Sequence, residues 1–275
     1  MSNMVINTNV LALNSHRSLK GVGGSIARSS ERLASGLRIN RAADDAAGLA
    51  ISEKMRAQIR GLNQASSNAS DGVSLIQTAE GALQEVQDML HRMRVLTLQA
   101  GNDTLQQEDR DLIQLEVDQL IEEIDETAGR TQFNGRTLID GSASNIHLQV
   151  GANENQGIVF SISNMDAAAL GVSNVNIAVA TGSAASAQLS AIDAAINDIN
   201  VQRATLGAIQ NRLEHTIRNL DVSSENLSAA ESRIRDTDMA REMMSLTQNN
   251  VLSQAAISML AQANQGPQSL LQLLR

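Results

Sequence analysis

The sequence contains no cysteine, tryptophan or tyrosine, only two phenylalanines (Phe133 and Phe160), and one proline, Pro267, among its 275 residues. Without cysteine, disulfide bonds and thiolate-held metal sites are excluded. An enzyme of this length normally lines its core and pockets with aromatic side chains, so their scarcity favours packing of long helices by Leu, Ile, Met and Ala. The composition therefore predicts a helical, rod-like molecule.

Long apolar runs are also missing. No stretch approaches the roughly 18 apolar residues of a membrane span, and the first residues lack the apolar core of a secretory signal peptide. The net charge is −9, which argues against nucleic acid as a partner. The charge is uneven, because residues 1–43 hold six basic side chains and one acid, whereas residues 243–274 hold no charge. We therefore expect neither a membrane nor a nucleic acid as partner.

Apolar side chains recur every seven residues in two parts of the chain. In the last third they are Ile192, Ile199, Leu206, Leu213, Leu220, Leu227 and Ile234. In the first half they are Leu62, Ala69, Ile76, Leu83 and Leu90, with a second rank at Ala65, Gly72, Ala79, Val86, Met93 and Ala100. A spacing of seven is typical of coiled-coil seams, so both parts are predicted to form long helices.

The first seam ends in a helix boundary. Gly101 supplies a C-terminal stop, and the next helix is predicted to begin at Thr104, with Gln107 completing a capping box. Such a short loop predicts that the two helices pack antiparallel.

Between residues 131 and 180 the apolar period changes from seven to two. An Asn134-Gly135 turn is followed by three alternating segments, at residues 146–150, 158–162 and 175–179. This alternation predicts short strands joined as hairpins. The fold class is thus mainly α, with long antiparallel coiled-coil helices and a small β-hairpin element inserted mid-chain.

Both ends of the chain look incomplete as isolated helices. The N-terminal amphipathic pattern is predicted to be interrupted at residues 21–24, where three glycines weaken a helix by about 1 kcal/mol each. The uncharged C-terminal end finishes on four leucines, at positions 270, 271, 273 and 274. Burial of these four could contribute roughly 6 to 12 kcal/mol, so we expect the tail to bind a partner.

Three features could indicate chemistry, and each has a simpler interpretation. Residues 20–25 place glycines beside a lysine and a serine, but the order is wrong for a phosphate-binding loop. The four histidines lack metal-ligand spacing and are expected to be exposed: His16, His91, His147 and His215. The acidic run is expected to be a solvated helix face: Glu122, Glu123, Asp125 and Glu126. We expect no catalytic residues, no metal and no cofactor, and hence no enzyme.

The stretch from Ser35 to Asp45 is predicted to be a domain junction. Gly36 would end one helix, and Asn40 or Asp44 would cap the next. Arg38 and Arg41 are expected to face Asp44 and Asp45. The full predicted set is Arg38, Asn40, Arg41, Asp44 and Asp45.

At these residues a family resemblance becomes clear. Residues 35–83, which include "LRINRAADDAAGLAI", closely resemble the N-terminal signature of bacterial flagellins, and residues 231–274, which include "NQGPQSLLQLL", resemble their C-terminal signature. The resemblance implies an inner filament-core domain of residues 1–41 with 239–275. Residues 42–238 would form an outer helical bundle, with the β-element at about 131–180 and without large variable outer domains.

The implied function is that of a flagellin, a structural subunit that self-assembles into the flagellar filament for motility. Two alternatives remain at this stage: a flagellar hook-associated junction protein, and a coiled-coil adaptor or signalling hairpin. The implied location is extracellular, after secretion. The implied polymer-core interface consists of Ile6, Val10, Leu13, Ile26, Leu33, Leu37, Leu252, Ile257, Leu260, Leu270, Leu271, Leu273 and Leu274.

The resemblance also implies partners besides further copies of the chain. These are the flagellar type III export apparatus, a cytoplasmic export chaperone on the C-terminal helix, and the filament cap and hook-associated proteins. Flagellins of some bacterial groups are also bound by the vertebrate Toll-like receptor five. The matching positions for that receptor contact are Arg92, Leu96 and Glu116.

Overall fold

The computed structural model of the chain describes residues 8–178 and 182–273, with side chains in the last helix described as far as residue 265. The helices are α1 (Val10–Ser35), α2 (Ala46–Ala100), α3 (Gln107–Arg130), α4 (Gly182–Ala187), α5 (Leu189–Arg235) and α6 (Met239–Leu273). The strands are β1 (Gln132–Phe133), β2 (Arg136–Thr137), β3 (Ile146–Gln149) and β4 (Gly157–Phe160). The predicted fold class, long helices with small hairpins mid-chain, is confirmed.

The described residues form two compact units. One comprises the chain up to Ala57 and from Asn226 onward, and the other comprises Gln58–Glu225. We call them the terminal unit and the central unit.

In the central unit, α2 and α5 run antiparallel in a seven-residue register. The Arg94 Nε atom donates to Asp193 Oδ1 at 2.7 Å, and the Gln87 Nε2 atom donates to Asn200 Oδ1 at 3.2 Å. The second pair lies seven residues earlier in α2 and seven residues later in α5 than the first pair, as expected for antiparallel helices. The predicted seams are buried between them at Ala69, Ile76, Leu83, Leu90, Ile192, Ile199, Leu206, Leu213 and Leu220, which confirms the coiled coil.

The boundary between α2 and α3 was predicted only in part. The helix α2 ends at Ala100, and the Gly101 N–H donates to the Thr97 carbonyl at 3.0 Å, so the glycine stop is confirmed. The capping box at Thr104 is wrong. The Gln106 N–H donates instead to Asp109 Oδ2 at 3.0 Å, because a carboxylate in the first turn satisfies this donor and Thr104 lies in the preceding turn.

Hydrogen bonds from Arg110 and Asp103 hold the loop between α2 and α3 in place. Arg110 is buried, and its Nε atom donates to the Ala100 carbonyl at 3.1 Å, satisfying an end of α2. Asp103 Oδ1 accepts the Gly182 N–H at 3.0 Å. A Cβ atom at Gly182 would overlap the backbone carbonyl of Gly101, so only glycine fits where α4 meets the loop.

Two hairpins follow α3. The strands β1 and β2 are joined by Asn134 and Gly135, whose φ angles of 52° and 78° define the predicted tight turn. The strands β3 and β4 pair antiparallel, with Ile146 opposite Phe160. These strands confirm the hairpins predicted near residues 134, 146–150 and 158–162.

The third predicted segment is not a strand where the structure describes it, at residues 175–178; Val179 lies outside the described residues. The backbone N–H and carbonyl groups of this segment are hydrogen-bonded by a side chain of α3. Gln114 donates through Nε2 to the Val175 carbonyl at 3.1 Å and accepts the Ile177 N–H at 2.7 Å. Alternating apolar residues are therefore buried here without a neighbouring strand. The Gln114 side-chain amide makes the hydrogen bonds that the backbone of such a strand would otherwise make.

The hairpin β3–β4 lies over a glycine of α2. A Cβ atom at Gly72 would overlap Leu148 of β3 and would lie 3.5 Å from Leu213 Cδ1 of α5. Gly72 is itself buried. The absent side chain leaves the space that Leu148 fills.

In the terminal unit, α1 is continuous from Val10 to Ser35, so the predicted interruption at residues 21–24 is wrong. Gly36 has a φ of 71° and ends the helix as predicted. The glycines are tolerated because α1 packs along α6, and tertiary packing supplies the stability that their intrinsic propensity lacks.

Candidate functional site

The terminal helices α1 and α6 form an antiparallel pair. At one end, Asn9 Nδ2 donates to the Ala263 carbonyl at 2.7 Å while Asn9 Oδ1 caps α1 by accepting the Ala12 N–H at 3.0 Å. Toward the other end, Arg32 lies 3.8 Å from Glu242. The pair therefore contacts along nearly the whole of α1.

This pairing covers one side of α6. The half-buried residues of α6 recur every three or four positions, which is a single stripe on a helix. They include Glu242, Leu246, Asn249, Ser253, Ala256, Leu260 and Ala263. None of the side chains described in α6, up to residue 265, is fully buried.

The sides of α6 that face away from α1 expose many large apolar side chains. The exposed large apolar residues of α6 are Met239, Met243, Met244, Val251, Leu252, Ile257 and Met259, and those of α1 are Val10, Leu11 and Leu13. Large apolar side chains that stay exposed together on one element mark an interaction surface. We call these ten residues the assembly surface, after the role proposed for them below.

The structure places the predicted polymer-core residues in three groups. Val10, Leu13, Leu252 and Ile257 are exposed and belong to the assembly surface. Ile26, Leu33, Leu37 and Leu260 are half-buried. Leu270, Leu271 and Leu273 lie within α6, but their side chains are outside the described part, as are Ile6 and Leu274 entirely.

Sequence reasoning missed six members of the assembly surface. They are Leu11, Met239, Met243, Met244, Val251 and Met259. The four methionines could have been found from the sequence, because they cluster in or beside the uncharged stretch 243–274.

The predicted junction pairs two stretches of backbone side by side. The Arg38 N–H donates to the Arg235 carbonyl at 2.7 Å, the Thr237 N–H donates to the Gly36 carbonyl at 3.0 Å, and the Arg38 guanidinium donates to the Ile234 carbonyl. The connection between α1 and α2 is thus hydrogen-bonded to the connection between α5 and α6.

The predicted charge pairs within the junction are wrong. Arg38 donates to backbone as described above, and Arg41 pairs with Glu31 at 2.8 Å rather than with Asp44 or Asp45. The acids bind backbone N–H groups instead. Loop conformation decides this, because the Asp44 carboxylate reaches amide donors within the connection and the Asp45 carboxylate reaches one in the first turn of α2.

Two acids of the junction have distinct roles. Asp44 Oδ2 accepts the N–H groups of Arg41 at 3.0 Å and of Asn40 at 3.2 Å, and these bonds lower the pKa of Asp44. Asp45 Oδ1 accepts the Gly48 N–H at 2.8 Å and caps α2. The predicted cap, Asn40 or Asp44, is therefore wrong, and the residue after Asp44 caps the helix instead.

Ion pairs tie the ends of α2 and α5 together within the terminal unit. Arg56 lies 2.9 Å from Glu231, and Arg235 lies 2.5 Å from Glu53. Such pairs fix orientation more than they stabilise, since partly exposed pairs contribute about 0 to 1 kcal/mol.

The three positions that match the innate-receptor contact lie at one place in the central unit. Arg92 Nη2 lies 2.6 Å from Glu116 Oε1, and both side chains are exposed. Leu96 is 2% exposed and belongs to the core between the helices.

The features weighed for chemistry have the simpler interpretations. All four histidines are exposed and lie on four different elements: His16, His91, His147 and His215. The four acids of the run are exposed residues; Arg130 pairs with Glu123 at 2.6 Å and with Glu126 at 3.0 Å, and Asp125 accepts the Ala167 N–H at 2.8 Å. Among the described residues, no group of three acids or histidines is arranged to hold a metal ion.

The helices in the described ranges contain no stretch that is both long and apolar enough to cross a bilayer. The exposed apolar side chains of α6 are interspersed with exposed polar ones, as Asn250 and Gln254 illustrate.

Comparison with known proteins identifies the family. Residues 6–144 match the helical N-terminal region of bacterial flagellin, and residues 189–274 match its helical C-terminal region. A flagellin of Halalkalibacterium halodurans is 52% identical, covering 99% of this chain and 100% of its own length, and a flagellin of Bacillus subtilis is 51% identical with the same coverage. The crystal structure of Bacillus cereus flagellin is similar with a TM-score of 0.50 and 33% identity, covering 60% of this chain and 94% of that one.

Identity of this extent over the whole chain favours a flagellin over a hook-associated junction protein or an adaptor hairpin. It also agrees with the absence of large variable outer domains, since the relatives align over their full length. The chain belongs to the bacterial flagellin family.

Proposed function

We propose that this flagellin, a structural subunit of the flagellar filament, polymerises by burying its assembly surface against the same helices of neighbouring copies. The observation that carries the proposal is that α6 exposes seven large apolar side chains on the sides that α1 leaves uncovered. Burial of a large apolar side chain contributes about 1.5 to 3 kcal/mol, so ten such residues per subunit supply a strong drive for association.

The geometry of such a polymer follows from the fact that α1 and α6 present different surfaces to neighbouring copies. When α6 of one copy packs on a different surface of the next, the contact is heterologous and need not close into a ring. Repetition then gives an open helical filament. A stiff helical polymer turned by a motor produces thrust, and no step of this function requires catalysis.

The layers of the filament are part of the proposal. Residues 1–41 with 239–275 would form the inner layer, and residues 42–238 would form the outer bundle, with the β-element at about 131–180. The charge distribution supports this division, because residues 243–274 carry no charge and the middle of the chain is acidic. Charged residues face water at lower cost than apolar ones.

The partners before and during assembly follow from the same surface. An exposed apolar surface needs cover in the cytoplasm, which supports a chaperone on the C-terminal helix over Leu252, Ile257, Leu260, Leu270 and Leu274. Passage through the type III export apparatus, contact with the filament cap and hook-associated proteins, and an extracellular location complete this proposal.

Recognition by Toll-like receptor five is a separate part of the proposal. The exposed pair Arg92 and Glu116 would supply the contact, and the buried Leu96 would support the backbone beneath it. Arg92→Ala and Glu116→Ala should each weaken signalling in receptor-reporter cells. The buried Leu96→Ala would act through stability, so its unfolding curve would shift as well.

Seeded elongation tests the assembly surface. Leu252→Ser with Ile257→Ser should slow the growth of filaments from wild-type seeds at least about tenfold, because two buried apolar contacts per subunit are lost. Both side chains are already exposed in the free subunit, so its circular dichroism should stay unchanged. Val222→Ser is the matched control, since Val222 is equally exposed but lies in the central unit.

The control should elongate at close to the wild-type rate. Removal of residues 270–275 should also abolish or impair elongation while the central unit stays folded. Normal filament growth by the double serine variant would contradict the proposal.

A further inference from the structure

The chain contains few types of side chain that are easily oxidised. Cysteine, tryptophan and tyrosine are absent, and ten methionines remain. Peroxides and hypohalous acids oxidise exposed methionine thioethers readily, so an oxidant that meets this chain reacts first at methionine.

Four of the ten methionines lie together at one end of the chain. Met239, Met243, Met244 and Met259 are 48%, 51%, 66% and 63% exposed, and all four belong to α6. They are members of the assembly surface. Their flexible thioethers suit packing against the irregular surface of another copy.

The methionines of the central unit provide an internal contrast. Met93 is 0% exposed and Met165 is 4% exposed, and both belong to the buried core. A peroxide reaches a thioether only when the sulfur is accessible, so these two should react slowly as long as the unit is folded.

We propose that the exposed methionines of α6 form an oxidation site that controls whether a free subunit can polymerise. The inference rests on the proposed function, because it requires that these side chains become buried between copies. The oxidant is hydrogen peroxide. The sulfur lone pair attacks one peroxide oxygen, the O–O bond breaks, a sulfur–oxygen bond forms and water leaves, so the sulfur loses two electrons and the peroxide gains them.

The product is incompatible with an apolar interface. A sulfoxide oxygen is a strong hydrogen-bond acceptor, and its burial without a donor is unfavourable. The backbone N–H groups of α6 are used within the helix, so a buried sulfoxide has to compete for neighbouring side-chain donors such as Gln248, Asn250 and Gln254. An oxidised subunit should therefore remain free, whereas subunits already in a filament should be protected.

The first experiment maps the modification. Hydrogen peroxide is added to free subunits and to sonicated filaments, and peptides are analysed by mass spectrometry. In free subunits, sulfoxide should form at least about tenfold faster at Met243, Met244 and Met259 than at Met93 or Met165. In filaments the α6 methionines should slow to the rate of the buried pair. Equal rates in free and assembled protein would overturn the inference.

The second experiment measures function. Peroxide-treated subunits are added to untreated wild-type seeds, and the elongation rate should fall at least about tenfold relative to untreated subunits. Treatment with methionine sulfoxide reductases of both stereospecificities should restore it. The variant carrying Met→Leu at positions 239, 243, 244 and 259 should show a ratio of treated to untreated rates close to one. The matched control, Met55→Leu with Met89→Leu, should stay sensitive.

The outcomes separate the two proposals. Untreated wild-type subunits that fail to extend seeds would defeat the proposed function. Untreated subunits that elongate, together with oxidised subunits that elongate equally well, would defeat the oxidation site alone. If the fourfold leucine variant does not fold, repair by the reductases decides, because loss of elongation that they cannot reverse would place the damage elsewhere.

Discussion

Asp45 Oδ1 accepts the backbone N–H of Gly48 at 2.8 Å, and this hydrogen bond caps the N-terminus of the 55-residue helix α2. Beside it, a Cβ atom at Gly48 would overlap both the Asp45 carboxylate and the buried Ile39 side chain. The start of the longest helix is therefore fixed by an acid, a glycine and an isoleucine in contact.

Loss of the Asp45 cap should destabilise the terminal unit. Asp45→Ala is expected to lower the free energy of unfolding by about 1 kcal/mol, because an orphan amide of the first turn loses its acceptor. Asp45→Asn keeps a side-chain oxygen and should retain most of the stability. Urea unfolding followed by circular dichroism measures both. Equal losses in the two variants would show that charge, and not capping, is responsible.

The Asp44 carboxyl should make the junction sensitive to acid. The bonds from the Arg41 and Asn40 N–H groups lower its pKa below the ordinary 3.8. A depressed folded-state pKa stabilises the fold above pH 3.8, and this contribution is lost as pH falls through the folded value. The Arg41 and Asn40 amide resonances should therefore titrate below pH 3.8. In Asp44→Asn that titration should vanish, and a midpoint above 3.8 would contradict the assignment.

The coiled-coil seam should be the most sensitive part of the central unit. Leu83 is fully buried, so Leu83→Ala is expected to cost about 2 to 5 kcal/mol through lost burial and a cavity. Val222→Ala on the exposed side of α5 should change stability by less than about 0.5 kcal/mol. Denaturant midpoints compare the two variants. Similar shifts for both would show that the seam is not the core of this unit.

Two glycines of the central unit should respond in opposite directions to alanine. Gly182→Ala should be strongly destabilising, because its Cβ atom would overlap the Gly101 carbonyl, a backbone atom that cannot rotate away. Gly207 lies within α5 with no atom within 4 Å of its Cβ position, so Gly207→Ala should stabilise by up to about 1 kcal/mol. Thermal unfolding gives the sign of each change, and two changes of the same sign would refute the contact.

The helices were predictable because a seven-residue period is a property of one segment. Leu83, Ile199 and Leu213 could be assigned to seams without knowing what they contact. The register between α2 and α5 was not predictable in this way. An apolar seam repeats itself, and the choice among registers depends on polar pairs such as Gln87 with Asn200, which are ordinary surface residues in the sequence.

Errors arose where tertiary contacts override a local pattern. The alternation at residues 175–178 is real, but Gln114 of a distant helix takes the hydrogen bonds that a neighbouring strand would take. Residues 21–24 are poor helix formers, yet α1 continues through them alongside α6. At the junction, three acceptors lie within six residues of one another, and only the observed first turn shows that Asp45 is the cap.

The sequence predicted that the chain ends expose apolar residues, but it predicted only four of the ten residues of the assembly surface. An uncharged tail indicates an unmet need for burial, and Leu252 and Ile257 follow from that. Which sides of α6 remain open depends on where α1 lies. That position is set by contacts such as Asn9 with Ala263, between residues at opposite ends of the chain.

The glycine beneath the β3–β4 hairpin has a consequence for how the long helices align. Two seams that repeat every seven residues can slide past each other by one repeat and still match apolar with apolar. Such a slip would bring Ala65 or Ala79, which carry the Cβ atom that Gly72 lacks, beneath Leu148. The hairpin therefore favours one of the equivalent settings of α2, because in the settings on either side of it the Leu148 side chain would have to move.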